Sequence, residues 1–223
     1  MIDYLIHPRI VENKDWATVL FVLAFAVIAV TKSVFENRFS DFAKLLFTDK
    51  YIKVYRDNNP LMSSFTIALF FVQVISVAFF IQLSMANFGY ASKTDWVLYI
   101  QIITFLVFFI LSKFLIEKII ATSFNIEEFV EQFNLQKVTY RTYIGLFILP
   151  INVILFYYDN ISRNFLLILI VIVLIINALT YFASIKNYQN IIFSKIFYFI
   201  LYLCALEIAP YYFMYYWFTK GLA

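Results

Sequence analysis

Six long apolar stretches constrain the fold of this chain more than any other feature. They cover residues 16–35, 61–85, 96–116, 142–158, 164–185 and 195–218. Each has the length of a transmembrane helix, which takes roughly 17–25 residues to cross a bilayer. Because the stretches are continuously apolar and do not alternate at every second residue, they predict helices and not the strands of a membrane barrel. The sequence therefore predicts an all-α integral membrane bundle of about six transmembrane helices.

The remaining composition limits what such a bundle can do. Hydrophobic residues make up 64% of the 223 residues, so residues 1–223 are expected to form one membrane domain whose main partner is the lipid bilayer. The lone Cys204 and lone His7 give no disulfide and no metal site, and three isolated glycines give no nucleotide-binding loop. We therefore expect no catalytic cluster, no metal and no cofactor. A net charge of +3 gives no reason to expect a nucleic-acid partner.

Basic residues are unevenly distributed between the connections. Twelve lie in or beside the first, third and fifth connections: Lys32, Arg38, Lys44, Lys50, Lys53, Arg56, Lys113, Lys118, Lys137, Arg141, Lys186 and Lys195. Five lie at the termini or in the other connections: Arg9, Lys14, Lys93, Arg163 and Lys220. Because Lys and Arg accumulate on the cytoplasmic side of membrane proteins, this distribution predicts that both termini lie outside the cytoplasm.

Two of the cytoplasmic connections carry a helical apolar stripe. The first stripe consists of Phe35, Phe39, Phe42 and Leu46. The second consists of Ile126, Phe129, Val130 and Phe133, after an Asn125/Glu128 pattern that resembles a capping box. The stripes predict two cytoplasmic-side amphipathic helices at the membrane interface. These helices either cover the end of the bundle, which we favour, or dock a membrane-protein partner.

Parts of the first two hairpins resemble each other. Asp15–Trp16 recurs as Asp95–Trp96, and Lys32 with Glu36 recurs as Lys113 with Glu117. One interpretation is an internal duplication with parallel repeats. The other, which we favour, is that outward helix starts independently select an N-cap followed by an interfacial aromatic residue.

Four polar residues fall at similar depth inside the apolar stretches. Glu207 lies in the sixth stretch, and Gln73, Asn152 and Asn177 lie in the second, fourth and fifth. A carboxyl group near the bilayer centre costs at least ~2 kcal/mol, so Glu207 is expected to be sheltered by polar neighbours. This set forms either a proton or substrate site or a group of interhelical hydrogen bonds.

Two prolines and one charge pair complete the candidate residues. Pro150 and Pro210 each free a backbone carbonyl one turn earlier, which predicts kinks beside the polar set. Lys113 lies near the inner end of the third stretch. Its charge is expected to be neutralised by Glu117 one turn later.

The C-terminal segment carries a family resemblance. Ser194–Lys195, Phe197–Tyr198 and especially the run from Tyr202 to Pro210, with Glu207 inside it, resemble the closing segment of a family of small inner-membrane proteins from Bacteroidota. That family is catalogued as a domain of unknown function, number four-two-seven-one. The resemblance implies a multi-spanning helical protein of the bacterial cytoplasmic membrane, with both termini then periplasmic. It implies no catalytic residue, substrate or cofactor.

Three functional hypotheses follow. The one we favour is a non-enzymatic subunit or scaffold of a cell-envelope assembly, with membrane-protein partners or further copies of itself. The second is a small transporter or proton-coupled channel centred on Glu207. The third is a membrane enzyme acting on lipid or isoprenoid substrates, which requires a polar cavity that faces the membrane.

Overall fold

The computed structural model describes residues 14–45, 51, 54–55, 63–123, 125, 127–158 and 161–187, with the backbone alone at residues 128–129 and 183–187. This part contains six helices: α1 Asp15–Val34, α2 Glu36–Ala43, α3 Ser64–Asn87, α4 Trp96–Ser123, α5 Glu127–Tyr157 and α6 Arg163–Asn187. All regular structure in it is helical, which confirms the all-α prediction. The predicted stretch at 195–218 lies outside the described residues.

Five of these helices, all except α2, are long and apolar enough to cross a membrane. Their positions agree with the first five predicted stretches, apart from the ends. α3 begins at Ser64 because the Ser63 side chain caps it by accepting a hydrogen bond from the Thr66 N–H at 3.3 Å. α4 has 28 residues and α5 has 31, so each is longer than the roughly 30 Å hydrocarbon core requires.

The second predicted amphipathic helix is not a separate element. Its residues form the first half of α5, which continues without a break into the fourth membrane span. The expected capping box at Asn125 is also wrong, because Asn125 has a φ of 52° and an N-cap residue takes an extended conformation. Val130 and Phe133 are buried within the protein. The part of the stripe whose side chains the structure describes, Val130 and Phe133, therefore packs against protein and does not lie flat on the membrane.

The helix α2 covers one end of the bundle, as we favoured. Its Phe42 is buried and packs edge-on against Phe65, Tyr51 and Tyr143, with ring centroids 5.6 to 5.9 Å apart. These rings come from the start of α3, the segment before it and the middle of α5. The apolar stripe of α2 thus faces the bundle; Leu46, its last member, lies outside the described residues.

Arg38 fixes α2 against α3 through its guanidinium group. This group lies 4.8 Å from the ring centre of Phe65 and 4.9 Å from that of Tyr55. It also donates hydrogen bonds to the Tyr51 hydroxyl at 3.3 Å and the Thr66 hydroxyl at 3.5 Å. Burial raises the pKa of Tyr51, although the charge of Arg38 acts in the opposite direction. Tyr51 therefore stays neutral at physiological pH and can accept this bond.

The helices α3 and α5 form the centre of the bundle. α3 packs against α1, α4, α5 and α6, and its contact with α5 is the most extensive. Half of an apolar 18-residue stretch of α3 is buried inside the protein, whereas only 6% of the corresponding stretch of α6 is buried. The exposed faces of α1, α4 and α6 carry large apolar side chains, which is the surface that a hydrocarbon solvent requires. We call the end at which α1 and α4 finish and α3 and α5 begin the basic end.

An aromatic cluster closes the opposite end. Trp16 packs against Phe79, Tyr99 and Phe156, with ring centroids 5.2 to 6.1 Å apart. Its indole N–H donates to the Thr94 carbonyl at 3.3 Å. The cluster ties the start of α1 to the connection between α3 and α4.

The two Asp-Trp pairs occupy different positions in this architecture. Asp95 caps α4, because its Oδ1 accepts hydrogen bonds from the N–H groups of Val97 at 3.0 Å and Leu98 at 3.2 Å. In α1 the capping position is Lys14, which makes no side-chain cap bond. Trp16 lies inside the aromatic cluster, whereas Trp96 is 57% exposed. The two pairs are therefore similar in sequence but have different structural roles.

Candidate functional site

The structure brings two of the predicted polar residues into the contact between α3 and α5. The Thr142 hydroxyl donates to Gln73 Oε1 at 2.8 Å. The Asn152 amide donates to the Ser76 carbonyl at 2.7 Å and to the Ser76 hydroxyl at 3.3 Å. All four side chains are buried. These bonds join the two central helices at positions that are one turn apart on α3 and about three turns apart on α5.

The other predicted residues are placed elsewhere. Asn177 is half-buried and donates to the Val173 carbonyl of its own helix at 2.8 Å, so it is not joined to the α3–α5 contact. Pro150 lies inside α5, which continues through it to Tyr157. Glu207 and Pro210 lie outside the described residues, so a proton or substrate site around Glu207 stays a prediction.

Gly145 allows the close approach of α5 to α3. A Cβ atom at this position would lie 2.8 Å from Gln73 Cγ and 3.2 Å from Gln73 Cα, which is closer than carbon atoms approach without a shift. Small residues are enriched in membrane-helix contacts because they allow backbones to come together.

A buried ion pair lies at the basic end. Lys137 Nζ is 3.1 Å from Glu117 Oε1, and the two side chains are only 7% and 4% exposed. The sequence predicted Lys113 as the neutralising partner of Glu117. The structure adds Lys137, from the facing helix, as the partner in buried contact. A short connection makes consecutive helices antiparallel neighbours, and this was the one signal that could have pointed to a partner on α5.

A cavity of about 190 Å³ lies beside this ion pair, between α3, α4 and α5. Its polar wall is formed by Thr66, Lys113, Glu117, Asn134, Lys137 and Arg141. Its apolar wall is formed by Ile67, Phe70, Phe109, Ile110, Leu111, Phe114 and Val138. Three cations face one carboxylate in the polar wall, so the cavity carries a positive charge and favours an anionic group.

A second cavity of about 190 Å³ adjoins the first, and Phe114 and Asn134 line both. It is further lined by Lys118, Ala121, Thr122, Glu127, Val130 and Glu131. Asn134 is only 4% exposed, and its Oδ1 accepts no hydrogen bond within the described part of the chain. Buried polar atoms are nearly always bonded. Several other buried polar atoms in the described part share this property, but Asn134 also lines two cavities, so a water or a ligand group that donates a hydrogen bond can satisfy it.

From its depth along α4, we expect the first cavity to lie at the boundary between hydrocarbon and headgroups. Lys113 follows the exposed Trp96 by 17 residues, a rise of roughly 25 Å, which places it near the far edge of a core about 30 Å thick. Two apolar lining residues, Ile67 and Leu111, are 43% and 50% exposed. The charged wall thus lies near headgroup level, while the apolar wall opens toward the lipid chains.

The comparison with family models matches the chain to a family described as "Domain of unknown function (DUF4271)" over residues 17–218. The chain belongs to this family. The match confirms the DUF4271 membership that the C-terminal segment indicated, and it includes all of α2 to α6. Neither the curated proteins nor the solved structures give a match to this DUF4271 chain. The function must therefore be argued from the chemistry of the cavities.

Proposed function

We propose that this protein is a non-enzymatic, lipid-binding subunit of a bacterial inner-membrane assembly. Its ligand is an amphipathic membrane molecule with an anionic phosphate, whose headgroup occupies the cavity at the basic end. The observation that carries this proposal is the union, in one cavity, of Lys113, Lys137 and Arg141 with an apolar wall that opens toward the lipid chains.

The polar wall suits a phosphate group. Arginine presents parallel N–H donors that match phosphate oxygens, and lysine adds a compact positive charge. Basic pockets between transmembrane helices on the cytoplasmic side are recurrent sites for anionic headgroups. Glu117 balances one of the three cations, so a bound phosphate still finds an excess of positive charge.

The size of the cavity supports a headgroup rather than a whole soluble molecule. Its volume of about 190 Å³ is below the roughly 300–1,000 Å³ of pockets that enclose a drug-sized ligand. It is far above the ~10–15 Å³ that one water needs. An amphiphile satisfies both limits, because its headgroup fills the cavity while its chains stay among the surrounding lipids.

The two other hypotheses have less support. A transporter centred on Glu207 would need polar partners at that depth. Gln73 Oε1 and the Asn152 N–H groups already bond across the α3–α5 contact, which leaves Asn152 Oδ1 as an acceptor without a bond within the described residues. A membrane enzyme requires a polar cavity that faces the membrane, and the first cavity meets this requirement. Its three cations surround one carboxylate that already pairs with Lys137, and this arrangement favours the binding of an anion over acid–base chemistry.

The proposal is tested by titrating the purified protein with dioleoyl phosphatidylglycerol and dioleoyl phosphatidylethanolamine and measuring bound lipid by native mass spectrometry. Arg141→Gln removes one charge-assisted contact with phosphate. We expect it to lower the affinity of the protein for both lipids about tenfold. The matched control is Arg163→Gln, because this arginine lies over the Phe88 ring at the opposite end of the bundle. Equal binding of both lipids by the Arg141→Gln variant and the wild type would overturn the lipid-binding function.

We place the basic end in the cytoplasm, and hence both termini in the periplasm, because twelve of the 17 Lys and Arg residues favour that side. A reporter that works only in the periplasm should be active when fused after Ala223. A reporter that works only in the cytoplasm should be inactive at the same point. Strong cytoplasmic activity there contradicts this topology.

A further inference from the structure

We infer that the headgroup bound at the basic end is zwitterionic, with its phosphate in the first cavity and a primary ammonium in the second. This inference rests on the proposed lipid-binding function and names the lipid class. The motivating observation is that two cavities of similar size and opposite charge share a wall.

The charges of the two cavities are complementary to such a headgroup. In the first cavity Lys113, Lys137 and Arg141 outnumber Glu117. In the second cavity two carboxylates, Glu127 and Glu131, outnumber one lysine. A purely anionic headgroup would use only the first cavity, whereas a headgroup with both charges places each one opposite its counter-charge.

Asn134 supplies the observation that favours an ammonium. Its side chain lines both cavities, and its buried Oδ1 lacks a donor within the described residues. A phosphate diester has no hydrogen to donate, so phosphate alone leaves this atom unbonded. A glycerol hydroxyl can donate to it, but it carries no positive charge to meet Glu127 and Glu131. A primary ammonium has three N–H donors and can bond Asn134 and Glu131 together. A quaternary ammonium carries the same charge but has no N–H, so it does not satisfy the amide oxygen.

The shared wall also sets the spacing. Because Phe114 and Asn134 line both cavities, the anionic and cationic groups of the ligand must be only a few bonds apart. The phosphate and amine of a phosphoethanolamine headgroup are joined by two carbons, which fits this arrangement. The aromatic ring of Phe114 then covers the short linker between them.

The test is a competition between dioleoyl lipids with three headgroups, namely ethanolamine, glycerol and choline, on the full-length protein by native mass spectrometry. The wild type should bind the ethanolamine lipid about fivefold or more tightly than the other two. Glu131→Gln should abolish this preference while binding of the glycerol lipid stays the same. The matched control is Glu36→Gln on α2, since Glu36 is exposed and lines neither cavity.

Asn134→Leu provides a second variant that keeps the charges unchanged and should also lose the preference. The zwitterion inference is wrong if the wild type binds the glycerol or choline lipid with the same affinity as the ethanolamine lipid. It is also wrong if both variants keep the preference for the ethanolamine lipid. In either case, sensitivity of all lipids to Arg141→Gln still supports the lipid-binding function. Displacement of the lipid by an equal concentration of water-soluble phosphoethanolamine would show that the ligand is a soluble molecule.

Discussion

Lys137→Met is expected to lower the free energy of unfolding by about 3–5 kcal/mol, the usual cost of removing one partner from a buried ion pair. The loss arises because Glu117, only 4% exposed along its side chain, loses its partner from α5 while it stays in a poorly solvated place. Reversible unfolding in mixed micelles, followed by helical circular dichroism, measures the change. Methionine retains most of the apolar stem, so the effect reports on charge more than on packing.

Two further variants make this expectation decisive. Lys32→Met is the matched control: Lys32 is exposed in the last turn of α1, so its replacement should change stability by less than about 0.5 kcal/mol. The double variant Lys137→Met with Glu117→Leu removes both charges and should recover most of the loss. A double variant as unstable as Lys137→Met alone would show that packing, and not the loss of the Lys137–Glu117 ion pair, causes the destabilisation.

Gly145→Leu is expected to cost about 1–3 kcal/mol, and to separate α3 from α5 locally, because it overpacks a tight contact. Even a single added Cβ would lie 2.8 Å from Gln73 Cγ. The same unfolding measurement applies. Ala178→Leu is the matched control, since it enlarges a small residue on an exposed, apolar face of α6 and should leave stability nearly unchanged.

Coupling between the two sides of the contact gives a sharper test. In Gly145→Ala the clash falls mainly on the Gln73 side chain, so adding Gln73→Ala removes its Cγ and should make the effect of the alanine at 145 smaller. A double-mutant cycle then yields an interaction energy of about 0.5–3 kcal/mol. Strictly additive losses would contradict a direct steric contact between these residues.

The transmembrane helices were predictable because their length and continuous apolarity follow from the thickness of the bilayer alone. The packing of the amphipathic segments was not. Val130 and Phe133 lie on one helical face, but this pattern is the same whether the face meets lipid or protein. Only the tertiary arrangement shows that the segment continues into the fourth span and is buried.

For the polar residues, too, the sequence predicted the depth along each helix but not the contacts between helices. Counting residues placed Gln73, Asn152 and Asn177 at similar depth, but depth does not specify the direction in which a side chain points. Two of them face the α3–α5 contact, while Asn177 bonds to its own helix. Lys137 escaped prediction because it meets Glu117 across two helices, and pairing rules based on spacing within one helix do not reach it.

The hydrogen bond from Asn152 of α5 to Ser76 of α3 restricts substitution at position 152 more than at position 76. The closer acceptor is the main-chain carbonyl of Ser76. Because every amino acid has a main-chain carbonyl, other small residues at position 76 can accept the same bond. The donor at position 152 has no such freedom, because few side chains carry an N–H at that reach. Divergent descendants of this chain are thus expected to vary at 76 while asparagine persists opposite.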